Sequence, residues 1–285
     1  MITKILIRPA ARGGKYLGPD AARALYPTGH ASAVVSIVDI NTGKNLQSAL
    51  VHTDGKNAGP TDLMNPWRRS SPFPADSLTV GVTFTVDIAE PTTYEVSIYG
   101  PLSHFDQARE AKALITVLPG VDIGAIIPDD GVATTPEGLV LEVPGLCISD
   151  VKTHDTLHKT SITCEATVTM MCGCKIGSPT LPKPPELPWP WPWTEFHIDL
   201  VTLMTGGARY SYPLRYVPLQ SGDPSSQFCG TWQSVAKPSD GPIKYAWVTA
   251  SQPSLGNQGS YQLYPRMLTE PPPHIQAILA SEGAK

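Results

Sequence analysis

Proline punctuation constrains this chain more than any other feature. The chain has 30 prolines and 24 glycines. Some of the prolines sit between short extended runs, and the others crowd into tracts such as "PKPPELPWPWPW" (182–193) and "EPPPH" (270–274). A proline inside a helix removes a backbone hydrogen bond and clashes with the preceding turn, so a long-helix architecture is excluded.

What lies between the prolines alternates with the period of a strand. "ASAVVSIVDI" (31–40), "SLTVGVTFTVDIA" (77–89), "TYEVSIYG" (93–100) and "ALITVLPG" (113–120) are rich in β-branched and aromatic residues. The turn signals "NTGK" (41–44), "TDGKNAGP" (53–60) and "EPTT" (90–93) separate them. Only "PDAARAL" (19–25) and "DQAREAKA" (106–113) read as helical there, and both are short. The second half repeats the style. Its expected strands are 138–151, 161–174, 195–204, 208–219, 226–232 and 243–251. Ile275, Ile278 and Leu279 have helical spacing, so a C-terminal helix is expected to cap its own domain or dock on a partner.

The expected fold is all-β: two tandem immunoglobulin-like (Greek-key) β-sandwich domains with short peripheral helices. The turn-rich stretch 121–138 reads as the connection. It divides an N-terminal domain, 1–127, from a C-terminal domain, 128–285, which carries the Pro/Trp-rich tract and the C-terminal helix.

Charged residues are 16% of the chain, and the formal net charge is -4. Without a basic patch or a nucleic-acid-binding motif, no nucleic-acid partner is expected. "MITKILIRPAARGG" lacks the apolar core and cleavage site of a signal peptide, and no apolar run is long enough to span a bilayer. The expectation is a cytoplasmic protein with no membrane partner. The cysteine count, five, is odd, and in a reducing compartment all would be thiols.

Three clusters carry candidate chemistry. In "LPWPWPW", Trp189 and Trp191 each precede a proline, which forces extended backbone. In polyproline II geometry the indoles of Trp189, Trp191 and Trp193 would fan out around the axis. In β geometry they would share a face and form a stacking platform for a sugar or an aromatic ligand. The bland alternative is an edge segment whose indoles plug the open end of a sandwich.

In "SITCEATVTMMCGC", alternation puts Ile162, Cys164, Ala166, Val168, Met170, Cys172 and, if the strand continues, Cys174 on one face. Cys164, Met170, Cys172 and Cys174 would suit a soft ion such as copper(I). They serve equally as ordinary core sulfur. Gly173 reads as a bulge or turn ending the strand. Their spacing is C-x-C and no second pair accompanies them, so no structural zinc site is expected, and no cofactor either.

"SDVKTHDTLHKTS" (149–161) reads as a polar connection holding His154, Asp155 and His158. His154 with Asp155, or His197 on the face of Asp199, would serve in acid–base chemistry. No HExxH, GxSxG, P-loop or GxGxxG context is present. "ARYSYPLRYVPL" aligns Tyr210, Tyr212, Leu214 and Tyr216, with Arg209 and Arg215 opposite, and "IKYAWVTAS" pairs Tyr245 with Trp247. Trp189, Trp191, Trp193, Tyr210, Tyr212 and Trp247 are therefore the candidate ligand wall.

The leading expectation is a binding or assembly protein. Its partner would be another protein, a second copy of itself in a homo-oligomer, or a small apolar or aromatic ligand. One alternative is a cofactor-independent acid–base enzyme (isomerase, cyclase or hydratase type) with an aromatic pocket, using His154, Asp155 or His197. The other is a copper-handling protein using the Cys/Met row.

Overall fold

In a computed structural model, residues 1–13, 17, 33–50, 82–102, 106–123, 139–155, 161–173, 176–177, 191–218, 230–236, 241–264 and 272–281 are described. The protein is all-β, with the strands arranged in several sheets. Among the described residues no helix is long and apolar enough to cross a membrane.

Two compact units divide the chain. The first comprises Met1–Pro144, Met171–Gly173 and Glu270–Lys285; the second comprises Gly145–Met170 and Cys174–Thr269.

The first unit holds β1 (Ile2–Ala11), β2 (Val34–Asp39), β3 (Asn45–Leu50), β4 (Val82–Asp87), β5 (Thr92–Gly100), β6 (Arg109–Val117) and β7 (Leu139–Val143). One sheet has the order β4-β1-β7 and the other β3-β2-β5-β6. β1 runs antiparallel to β4 and parallel to β7. Its residues from Ile5 to Ala11 are all buried, as a central strand covered on both faces requires. In the second sheet Val35, Ile37, Val96 and Ile98 fill one face with no exposure.

The other face of that sheet is covered too. Ser36 and Ser97 stand opposite each other on β2 and β5, and their hydroxyls share a 2.7 Å hydrogen bond. The C-terminal helix α1 (Pro273–Ser281) supplies part of the cover, with Ile275 packed among Val34, Tyr99 and Ala108. Pro273 opens α1, where a missing N–H costs nothing, and the Pro272 carbonyl accepts from the amides of Ile275 and Gln276. The helix thus caps the unit that begins the chain. The segment expected to be helical at 19–25 lies outside the described residues.

The second unit holds β8 (Leu146–Asp155), β9 (Ile162–Met170), β10 (Ile176–Gly177), β11 (Trp191–Pro192), β12 (His197–Met204), β13 (Arg209–Pro213), β14 (Arg215–Pro218), β15 (Gly230–Ala236), β16 (Ile243–Gln252) and β17 (Asn257–Tyr264). Two four-stranded sheets, β13-β12-β16-β17 and β14-β15-β9-β8, make its sandwich, and β10 and β11 form a short parallel pair. Gly259 of β17 lies so close to the backbone carbonyl of Leu146 on β8 that a Cβ there would collide with it.

Four sequence expectations change. "DQAREAKA" is no helix: from Arg109 onward it is β6, held by register with β5 and by the 2.9 Å Lys112–Glu95 ion pair. Cross-strand pairing overrides the local helix preference of Ala, Glu and Lys.

The run 138–151 is not one strand but two. It breaks at Pro144, which has no N–H to donate, and at Gly145, whose φ of 139° favours glycine. The "polar connection" from 149 is strand as far as Asp155, with a bulge between Ser149 and Lys152. Asp150 takes φ 50° there, a conformation that Asp tolerates better than most residues. Finally, 208–219 splits at Leu214 into β13 and β14, which belong to different sheets. The exposure alternation survives this corner, with Leu214 buried and its neighbours Pro213 and Arg215 exposed.

Candidate functional site

The tryptophan tract leads to the most developed side-chain cluster in the second unit. Trp191 lies in β11, in parallel register with Ile176, and is 6% exposed. Pro192 keeps the chain extended at φ -66° and ψ 125°. A single 3-10 turn, Trp193–Glu195, then closes with the Phe196 amide donating to the Trp193 carbonyl at 3.1 Å. Neither a continuous polyproline helix nor a continuous strand therefore carries Trp191 and Trp193. The turn reorients the chain between strand β11 and Phe196, and Trp193 is left 37% exposed. Trp189 lies outside the described residues.

Trp193 lies parallel to Tyr216, with an interplanar angle of 2° and ring centroids 5.9 Å apart. That separation in parallel rings is an offset stack, a favoured aromatic geometry. Trp232 stands edge-on to both, 6.5 Å from Trp193 and 5.5 Å from Tyr216. Strand register builds this. Tyr216 on β14 faces Trp232 on β15, and Trp232 faces Ala166 on β9, where a small side chain leaves room for the indole. Exposure rises outward, from Trp232 at 2% through half-buried Tyr216 to Trp193. Among the described residues the Trp232 Nε1–H has no hydrogen-bond acceptor.

A buried polar chain holds the turn. Gln252 Nε2 donates to Glu195 Oε2 at 3.3 Å, Asn257 Nδ2 to Gln252 Oε1 at 3.0 Å, and the Gly145 amide to Asn257 Oδ1 at 3.1 Å. Gln252 and Asn257 have no exposure. Two buried amides are costly unless paired, and here their pairing ties Glu195, two residues beyond Trp193, to the β16–β17 hairpin.

The remaining aromatic candidates do not join this cluster into one wall. Tyr210 and Tyr212 sit on one face of β13, with centroids 6.3 Å apart. Burial pushes the Tyr212 phenol above the ordinary tyrosine value. Trp247 stands opposite Val201, on the other face of the same sheet, and the Arg209 guanidinium lies 5.6 Å from its ring centroid. Lys244 makes a similar cation–aromatic contact with Tyr245 at 5.4 Å.

The acid–base candidates stand apart. His154 is exposed, opposite Thr163 on β9, and Asp155 takes the next register position, opposite Ile162. With both in extended β8, the turn that a His154–Asp155 pair needs does not form. His197 is exposed on β12, in the opposite sheet, with Asp199 two residues on. Glu165 accepts from Lys152 at 3.1 Å and from Gln233 at 2.8 Å, and all three lie on the face that carries His154's partner Thr163. His158 lies outside the described residues.

The sulfur row keeps its expected face on β9. Ile162, Cys164, Ala166, Val168 and Met170 are all buried, and Glu165 and Thr167 on the other face are less so. Cys164 and Met170 are six positions apart along the strand, about 20 Å at ~3.3 Å per residue, so they do not converge on one point. Cys172 is buried beyond the strand end, where Gly173 takes φ 75°. Cys147, Cys164 and Cys172 are all buried. Burial, with a smaller contribution from the Glu165 carboxylate, pushes the Cys164 thiol up to about 12. Cys174 lies outside the described residues. Among the described residues no three His, Cys, Asp or Glu side chains gather into a metal-binding group.

Sequence reasoning left Trp232, Tyr216, Glu195, Gln252 and Asn257 out of the candidate site. Tyr216 and Trp232 carried a usable signal, an aromatic on each of two neighbouring strands. The polar chain carried none, because its members meet only through the hairpin. Neither the protein-family models nor the curated proteins include a match to this sequence.

Proposed function

We propose that this chain is a binding or assembly protein whose partner face is the Trp193–Tyr216 stack of the second unit. One observation carries this reading. A tryptophan 37% exposed is held flat on a tyrosine, within 2° of parallel, in a turn anchored by two buried amides. A ring that served only to fill the sandwich would gain most by burying itself, as Trp232 and Trp191 do. The acid–base candidates occupy separate sheets, and the described sulfurs lie strung along and beyond one strand, so neither set supports a rival reading as well.

The test compares two alanine variants in urea and in the ultracentrifuge. Trp191→Ala should cost about 3–5 kcal/mol, the usual loss for a buried aromatic. Trp193→Ala should cost about 1–2 kcal/mol, chiefly its stacking and partial burial. Equal, large losses would make Trp193 a packing residue and overturn the reading. Sedimentation velocity over a hundredfold concentration range reads self-association, and its loss in Trp193→Ala would identify a second copy as the partner.

A further inference from the structure

We propose that the face of the Trp193 ring turned away from Tyr216 is a stacking site for a pyranose ring of a carbohydrate; this rests on the binding reading above and names its ligand. A drug-sized aromatic ligand is bound by burying most of both its faces in a concave, apolar site. Trp193 offers one plane, since Tyr216 lies along one side of its ring and Trp232 stands edge-on to it.

The residues that follow Trp193 in its turn are polar. Thr194 is exposed and Glu195 is partly exposed. A flat apolar ring followed in one turn by a hydroxyl and a carboxylate matches a pyranose, which has an apolar C–H face edged by hydroxyls. An apolar peptide segment would instead need neighbouring apolar contacts to fill.

The Glu195–Gln252–Asn257 chain adds the second requirement, rigidity. A single stacking plane gives weak binding, so it must lose little entropy when it is used. Buried hydrogen bonds within two residues of the ring provide that. A single plane also implies that one sugar binds weakly and that a polysaccharide, offering many equivalent rings, is held longer through repeated engagement.

The experiment is affinity electrophoresis of the full chain through native gels containing soluble β-glucan, xylan or galactomannan, with a polymer-free gel as reference. The net charge of -4 drives migration toward the anode. The expected result is retardation in at least one gel, at least a tenfold weaker apparent affinity in Trp193→Ala, and retention of binding in Trp193→Phe, which keeps a flat ring. Trp193→Leu, apolar but not flat, should behave like the alanine variant and covers the case in which alanine impairs folding. Trp247→Ala, on the outer face of the other sheet, should bind as the unaltered protein does.

Retardation in no gel, or retardation indifferent to Trp193→Ala and Trp193→Leu, overturns the proposal. If no gel retards the protein yet Trp193→Ala abolishes self-association in the ultracentrifuge, the sugar is wrong and the binding reading stands. If Trp193 matters in neither experiment, both fall.

Discussion

The sheet β3-β2-β5-β6 of the first unit and the sheet β13-β12-β16-β17 of the second are built on one plan. In each, two hairpins lie side by side with the first strands of the hairpins paired antiparallel at the centre. They differ in how the face turned away from the sandwich core is finished. In the first unit, Ser36 and Ser97 pair their hydroxyls there, and Ile275 of α1 closes over Val34 and Tyr99. In the second, Trp247 and Tyr245 remain half-buried, each with a cation over its ring. An antiparallel sheet needs only one dry face, so the second face is open to other uses. The first unit spends it on its own helix. The second keeps aromatic rings within reach of solvent there, and again at the sandwich edge around Trp193.

The largest loss of stability is expected at Trp232. Replacing it by alanine leaves a cavity over Ala166 and removes the support of both Tyr216 and Trp193, at about 3–5 kcal/mol. Hydrogen exchange should show the loss in β9, β14 and β15. If protection falls equally in β2 and β5, the two units unfold as one cooperative body, and their contrast is not one of separate solutions.

A smaller effect is expected at Ile275. Alanine there should cost about 2–3 kcal/mol, because α1 can lift away instead of leaving a sealed cavity. The readout is exchange at the amides near Val34 and Tyr99. Unchanged protection would mean that α1 is not what covers that face.

How far the sequence revealed all this depends on the range of the interaction. Alternation along β9 placed Cys164, Ala166, Val168 and Met170 correctly, because a strand's faces are set by its own residues and one buried side. The same reasoning misread 106–113. Its alanines and charges favour a helix in isolation, and only β5, pairing Lys112 with Ser97 and Leu114 with Glu95, makes it a strand. The run 208–219 kept its alternation yet changed sheets at Leu214, an event that leaves no mark on the pattern. The candidate site was the least legible part. Trp193 was visible as an aromatic on stiff backbone. Its companions arrive from β14 and β15, and its anchor Glu195 meets Gln252 across 57 residues of chain.

A weaker, pH-dependent effect is expected at Cys164 inside the second unit. The Cys164 thiol sits in the apolar face of β9, where burial and then the Glu165 carboxylate raise its pKa from 9.0 to about 12. In the unfolded chain the thiol ionises from about pH 9 upward, whereas in the folded chain it keeps its proton. The unfolded state therefore binds fewer protons above pH 9, and stability falls as pH rises. This contribution is complete below pH 9 and is lost between pH 9 and about 12, with a limiting slope of about 1.4 kcal/mol per pH unit. Buried Tyr94 and Tyr99 and half-buried Tyr212, whose phenols are also raised, weaken the fold in the same alkaline direction. That background is common to the unaltered protein and to Cys164→Ala, so it cancels in their difference. Urea midpoints of the pair at pH 8 and pH 10.5 should thus converge, with the advantage of cysteine over alanine shrinking by about 1–2 kcal/mol. An advantage that stays constant over that range would mean that water reaches the thiol, and that the inner face of β9 opens more readily than its zero exposure implies.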